Sequence, residues 1–146
     1  MQSVNYKVWA DYISEIHQTL GSQNDTALEI GSGLGQVGHR IRKQFKKLYL
    51  SDISHEMLKM SHNTCDLICC DMTYLPFKTK FDFIYSTFDT INYLNEEKIV
   101  EEFFSKIKLF LNKHSYFTFD VSLQNNSIKN LKELNRSGTY KGISYI

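Results

Sequence analysis

Ala27-Leu28-Glu29-Ile30-Gly31-Ser32-Gly33-Leu34-Gly35-Gln36-Val37-Gly38 is the stretch whose reading decides the fold. Residues 27–30 are a short apolar run holding one acid, the pattern of a buried strand. Gly31, Gly33 and Gly35 predict a tight turn with backbone at positive φ and a ligand standing where a Cβ would otherwise be. Leu34, Val37, Ile41 and Phe45 recur at helical spacing, which predicts a helix running to about residue 45. Such a helix turns its free N–H groups and positive dipole end towards the glycines, favouring an anionic group there.

Working outward, the pattern of strand, acid and helix repeats. Residues 47–53 read as a second strand ending on Asp52, with Ser54 as N-cap and Glu56 in the first turn of a helix to about residue 62. Residues 65–71 read as a third strand, ending on Asp71, and residues 81–86 as a fourth. Asn95 caps an amphipathic helix in which Ile99, Val100, Phe103, Phe104, Ile107, Phe110 and Leu111 repeat at three and four, and residues 115–121 form a fifth strand. Ahead of the glycines, Trp9, Ile13, Ile16 and Leu20 mark a helix over 4–20. Beyond residue 122 the chain is polar, with a weak helix at 128–134 and one more strand at 139–146. Strands alternating with helices predict an open, doubly wound α/β sheet, mostly parallel, with helices on both faces. Right-handed crossovers bring the C-terminal strand ends to one edge, so Glu29, the glycines, Asp52, Asp71 and the residues after Ser86 share a rim.

Composition bounds what that rim serves. At 146 residues, 42% hydrophobic and 23% charged, the chain is an ordinary globular domain, residues 1–146. A net charge of +1 gives no footprint for nucleic acid, and Arg40, Arg42, Lys43, Lys46 and Lys47 read most simply as the solvated back of a helix. No run approaches the ~20 apolar residues of a membrane span, and the N-terminus lacks a signal peptide's apolar segment, so no membrane partner and a cytoplasmic location are expected. Cys65, Cys69 and Cys70 are odd in number and fall in one apolar run, which predicts reduced core residues. No fourth ligand near His62 completes a zinc-like set, so no metal is expected. His17, His39, His55, His62 and His114 show no paired spacing and read as surface or helix-end residues.

An acid ending the second strand about twenty residues after the first glycine is placed to accept both hydroxyls of a ribose. Asp71 followed by Met72 suits an adenine, the carboxylate taking the exocyclic amine while Ile53 and Met72 flank the ring. Either acid alone reads more simply as a turn or cap residue. Both, in order on one rim beside a glycine turn, point to an adenosine-like group. Gly33 to Gly38 matches the dinucleotide fingerprint G-x-G-x-x-G, but the match begins two residues into the turn, and read from Gly31 the third glycine is replaced by Gln36. Glu29 favours a ligand with a cationic amine, because a pyrophosphate would be repelled by a carboxylate at that place.

Residues 28–35 resemble the first motif, [DE]-x-G-x-G-x-G, of the class I S-adenosylmethionine-dependent methyltransferases. Residues 51–58 are similar to that family's D-x-S-x-x-M-L motif and residues 70–77 to its D-M-x-x-L-P-F motif. Residues 81–85 with 89–94 resemble its FD and D-x-[IL]-N-Y-L elements, a form common in small-molecule methyltransferases, and residues 9–12 its cover helix. The resemblance implies a Rossmann-like sheet that binds S-adenosyl-L-methionine. It implies that Tyr6 and Trp9, on a cover segment of residues 1–21, lie over the cofactor, that Glu29 approaches its amino group through water, and that Gly31, Ser32, Gly33 and Gly35 admit its methionine and ribose parts. Asp52 and Ile53 would meet the ribose and adenine, Asp71 and Met72 the adenine, and the carbonyls of Ser86, Thr87 and Phe88 the amino end.

Two departures shape the expectations. In place of the family's K-P-G-G-like turn stands Asn112-Lys113-His114-Ser115, where Asn tolerates the left-handed region. The family's C-terminal antiparallel strands are incomplete, with residues 122–146 the start of a hairpin or an insertion. A truncated chain, or a homodimer or partner chain covering the open sheet edge, is expected. Asp89, Asn92 and Tyr93, with Tyr6, are the candidates for the side facing a small-molecule acceptor. The alternatives are a non-catalytic adenosyl-binding subunit or remnant and an NAD-dependent oxidoreductase.

Overall fold

The computed structural model describes residues 4–20, 26–61, 64–123, 138–140 and 143–145. Helix α1 (Tyr6–Leu20) precedes strand β1 (Thr26–Ile30), and a glycine turn leads to the short α2 (Gly38–Ile41) and a 3-10 turn at Arg42–Gln44. Then follow β2 (Lys47–Asp52), α3 (His55–Met60), β3 (Asp66–Cys69), β4 (Phe81–Ser86), a 3-10 turn at Thr90–Tyr93, α4 (Glu97–Phe110) and β5 (Leu111–Phe119). The five strands form one sheet in the order β3-β2-β1-β4-β5, every pairing parallel. The order reverses beside β1, so a crevice opens at the C-terminal ends of β1, β2 and β4.

Side-chain alternation divides the core. Ala27, Leu48, Leu50, Phe83 and Tyr85 pack on one face against Ala10 and Ile13 of α1 and against Val37 and Ile41. Leu28, Ile30, Phe81 and Ile84 pack on the other against Phe103 and Ile107 of α4, with Ile91. Leu28, Leu50, Phe83 and Tyr85 are wholly inaccessible, each burial stabilising the fold by ~1.5–3 kcal/mol. Ser54 caps α3 by accepting from the Met57 N–H at 3.3 Å, as its sequence position predicts.

Several local expectations are corrected. The helix after the glycines is four residues and a 3-10 turn rather than a run to residue 45. Its last turn is tied instead by Arg42, whose guanidinium donates to the carbonyls of Phe45 at 2.9 Å and Thr64 at 3.1 Å. Arg42 is therefore not on a solvated helix back, and Lys47 lies in β2, 3.3 Å from Asp66. Helix α4 has Glu96 rather than Asn95 at its N-cap, with no side-chain cap bond. The cysteines are free, but Cys69 is exposed and Cys65 and Cys70 are half-buried, because β3 is an edge strand. Residues 112–115 bulge out of β5 while Phe81 pairs with Leu111 and Phe83 with Tyr116. The residue at positive φ there is His114 (φ 67), and Asn112 donates to Asp82 Oδ1 at 2.7 Å.

At the C-terminus the single strand expected over 139–146 is an antiparallel pair, β6 (Gly138–Tyr140) and β7 (Ile143–Tyr145), in a sheet of its own. The helix expected at 128–134 lies outside the described residues.

Candidate functional site

The glycine turn is built around the end of β2. Ser32 N–H donates to the Ser51 carbonyl at 2.9 Å and Gly35 N–H to the Ser32 carbonyl at 2.8 Å, closing the turn. Gly33 N–H donates to Asp52 Oδ2 at 2.7 Å and Ser54 N–H to Asp52 Oδ1 at 2.8 Å. Two backbone donors thus fix one carboxylate in a defined pose, each oxygen keeping a further lone pair for a ligand. The three glycines sit at φ +69, +53 and +70, a region L side chains rarely adopt.

What surrounds them differs, and corrects the expectation that a ligand replaces each Cβ. At Gly31 a Cβ would overlap the Thr90 side chain, with Oγ1 at 2.5 Å. At Gly35 it would lie 2.7 Å from His39 Nε2 and 2.8 Å from Leu50 Cδ1 and Ser61 Oγ, so that glycine serves packing. Only Gly33 opens on free space, with Met57 Sδ the nearest atom at 3.6 Å. Gly38, the last glycine of the G-x-G-x-x-G match, lets α2 press on the sheet, a Cβ there lying 2.5 Å from Glu29 Oε2.

A cavity of about 1060 Å³ runs along this rim. Tyr6, Glu29, Gly31, Ser32, Gly33 and Asp52 line it, as do Ile53, Asp71, Met72, Phe88 and Tyr93. Trp9, Gly35, Ser86, Thr87, Asp89 and Asn92 are not among its lining residues. The Thr87 carbonyl accepts from Thr90 Oγ1 at 2.9 Å, and Ser86 Oγ donates to the Ile30 carbonyl at 3.0 Å. Trp9 acts at one remove: Phe88, at φ 60, lies 5.0 Å from its ring and 5.5 Å from that of Tyr6, which joins α1 to the loop after β4. Asp89 and Asn92 hold the chain beyond β5. Asp89 N–H donates to Asp120 Oδ2 at 3.0 Å and its Oδ2 accepts from Ser122 Oγ at 2.9 Å. Asn92 bonds the backbone of Ser122 in both directions, at 2.8 and 3.0 Å.

Glu29 is 2% exposed. It accepts from Tyr85 OH at 3.1 Å, its direct neighbour in register on β4, and from the Gly38 N–H. Burial raises its pKa from 4.5 to about 8, against those two hydrogen bonds and with help from the Asp52 charge. Its carboxyl is therefore protonated at neutral pH, and the repulsion of a pyrophosphate argued from its charge does not apply. The argument against a dinucleotide passes to α2, whose single turn offers little of the dipole such a ligand exploits. Asp71, by contrast, is held below the usual carboxylate range by hydrogen bonds from Thr73, with the Lys106 charge adding to the effect.

Sequence reasoning missed Tyr85, Thr90, Thr73, Lys106 and the Asp120–Ser122 segment. Tyr85 was within reach, since parallel pairing of the first and fourth strands sets it beside Glu29 on the same face. Thr90 and Lys106 come from elements distant in the chain and carry no local signal.

A parallel sheet with a glycine turn after its central strand and acids after the next two is the Rossmann-like arrangement for an adenosine-bearing ligand. Residues 27–114 match the model of the methyltransferase domain family, more than half of the chain, and the chain belongs to that family. A Geobacillus sp. (strain WCH70) protein, named a methyltransferase by inference, is 27% identical over 129 residues, covering 83% of this chain and 52% of its own. The crystal structure of an S-adenosylmethionine-dependent methyltransferase from Clostridium acetobutylicum superposes with a TM-score of 0.80 at 26% identity, over 95% of this chain and 58% of the other. S-adenosylmethionine-bound CalS10, an amino pentose methyltransferase of Micromonospora echinaspora, has the same fold at 14% identity, with a TM-score of 0.78 over 84% and 53% of the two chains. The chain spans about half the length of the curated relative it matches. The expected family and fold are borne out.

Proposed function

We propose that this protein binds S-adenosyl-L-methionine at the rim and transfers its methyl group to a small-molecule acceptor. The observation that carries the reading is the Asp52 carboxylate, locked by Gly33 and Ser54 N–H groups beside the one glycine of the turn that opens on free space. The donor set fits the cofactor. Asp52 and Asp71 are acceptor edges for a vicinal diol and an exocyclic amine, and Ser32 Oγ is buried with no hydrogen-bond partner. The Clostridium acetobutylicum and CalS10 relatives carry S-adenosylmethionine in their names, which supports the same ligand here.

The cofactor supplies an electrophilic methyl carbon when bound. Asp52 orients the ribose, Gly33 admits it, and Asp71 with Met72 holds the base. Tyr6 and Phe88 close the far side against water, braced by Trp9. Glu29, kept protonated by its burial, accepts from Tyr85 OH and the Gly38 N–H and holds α2 against the sheet. Orientation of this kind is worth up to ~7–11 kcal/mol in favourable cases, so a general base is needed only for an acceptor that arrives protonated. Tyr93, 78% exposed on the cavity, is the residue we assign to the acceptor side. The net charge of +1 favours a small molecule over nucleic acid. Three free cysteines favour a reducing, cytoplasmic compartment. Among the described residues no helix is long and apolar enough to cross a membrane.

Asp89 and Asn92 are spent on the segment after β5, and this favours a second reading, an adenosyl-binding subunit without turnover. Incubation with methyl-labelled S-adenosylmethionine and a panel of small amines, alcohols and acids separates the two. Label transferred to an acceptor supports the enzyme. Cofactor binding with no transfer, alone or with added cell extract, supports the subunit.

A further inference from the structure

Asp71 lies just past β3 and lines the cavity together with Met72, Thr73 and Lys106. Its Oδ1 accepts two hydrogen bonds from a single residue, from Thr73 N–H at 2.7 Å and Thr73 Oγ1 at 2.8 Å. Thr73 is itself held from outside the loop, its carbonyl accepting from Lys106 Nζ of α4 at 3.1 Å. The Asp71 carbonyl accepts from Tyr74 N–H at 3.0 Å, so the turn around the acid is closed at both ends. With Oδ1 filled, the side chain can rotate only by breaking two charge-assisted bonds. Oδ2, which takes no hydrogen bond from Thr73, is left as an acceptor-only edge on a residue that lines the cavity.

We propose that Thr73, anchored by Lys106, is the positioning residue that makes this rim selective for adenine over hypoxanthine. An ionised, fixed carboxylate oxygen pairs with the 6-amino group of adenine and meets the 6-oxo group of hypoxanthine with lone pair against lone pair. Asp71 is exposed, so the discrimination is modest, and an acceptor held in place discriminates against the analogue lacking the matching donor more than a carboxylate free to turn away. The low carboxylate pKa at Asp71 agrees with this, since it keeps the group an acceptor throughout the neutral range. Lys106 is too distant for an ion pair with Asp71 and contributes by fixing Thr73 and by its charge. The inference rests on the cofactor reading above, in which Asp71 meets the base, and assigns to Thr73 and Lys106 the fixing of that carboxylate.

Calorimetric titration with S-adenosylhomocysteine and with S-inosylhomocysteine, its 6-oxo analogue, tests it. The wild-type protein is expected to prefer the adenosine compound by about tenfold or more. Thr73→Val removes one of the two bonds to Oδ1, and the preference is expected to fall at least threefold through weaker binding of the adenosine compound alone. Thr73→Ser restores it, and Lys106→Met moves the ratio in the same direction as Thr73→Val. A general loosening of the loop would weaken both compounds equally, and that outcome, or a wild-type ratio near one, overturns the inference while leaving the cofactor reading intact. Absence of S-adenosylhomocysteine binding to the wild-type protein overturns the cofactor reading and the inference with it.

Discussion

Glu29→Gln should stabilise the protein, and by an amount that grows with pH. In the unfolded chain the Glu29 carboxyl titrates near 4.5, while burial in the folded protein holds it near 8. The folded pKa lies above the unfolded one, so between those values the folded protein keeps a proton that the unfolded chain has released, and stability is lost as pH rises from 4.5 towards 8. At ~1.4 kcal/mol per unit, the wild-type protein loses on the order of 4 kcal/mol through this one group between pH 5 and pH 9. Glutamine has the same shape, accepts from Tyr85 OH and Gly38 N–H through its amide oxygen, and does not titrate. Urea unfolding of both proteins from pH 5 to pH 9 measures the effect as the gap between two curves, which cancels every other titrating group. The gap should widen by several kcal/mol towards high pH. Parallel curves would refute the reasoning, because they would place Glu29 in contact with water or a counter-charge.

Asp52→Ala should weaken S-adenosylhomocysteine binding at least tenfold by calorimetry, and unchanged affinity would remove Asp52 from the site. Gly31→Ala should cost roughly 2–4 kcal/mol, from strain at φ +69 and overlap with Thr90, and lower Tm by several degrees. Gly33→Ala, with room for its Cβ, should cost only ~1–2 kcal/mol of backbone strain, and equal losses for the two variants would contradict the assignment of the open space. Phe88→Ala removes the ring that joins Tyr6 and Trp9 to the loop after β4, and amide exchange across α1 should accelerate while exchange in β1 and β4 stays slow.

The sheet was readable from the sequence because its strands are short apolar runs, each near an acid or a turn, and parallel pairing follows from their alternation with helices. Asp52 and Asp71 were readable for the same reason, since a position at a strand's end also fixes a position on the rim. The helix after the glycines is shorter than its spacing predicts because Val37, Ile41 and Phe45 bury their side chains in a turn, a single helical turn and a 3-10 segment as well as they would in a longer helix, while Leu34 is only half-buried and lines the cavity. Glu29 was placed correctly in β1, but its charge was misjudged, because protonation depends on burial by Gly38 and Tyr85 rather than on residue type. Gly31 shows the general limit. A glycine pattern signals close approach, and only the folded chain identifies Thr90 rather than a ligand as the group that approaches.

Titration of the wild-type protein with S-adenosylhomocysteine and, separately, with NADH tests the central claim most directly. Saturable binding of S-adenosylhomocysteine at one site per chain, with no response to NADH, is the predicted result. Quenching of nicotinamide fluorescence by a saturable NADH complex, or no binding of S-adenosylhomocysteine, would contradict it.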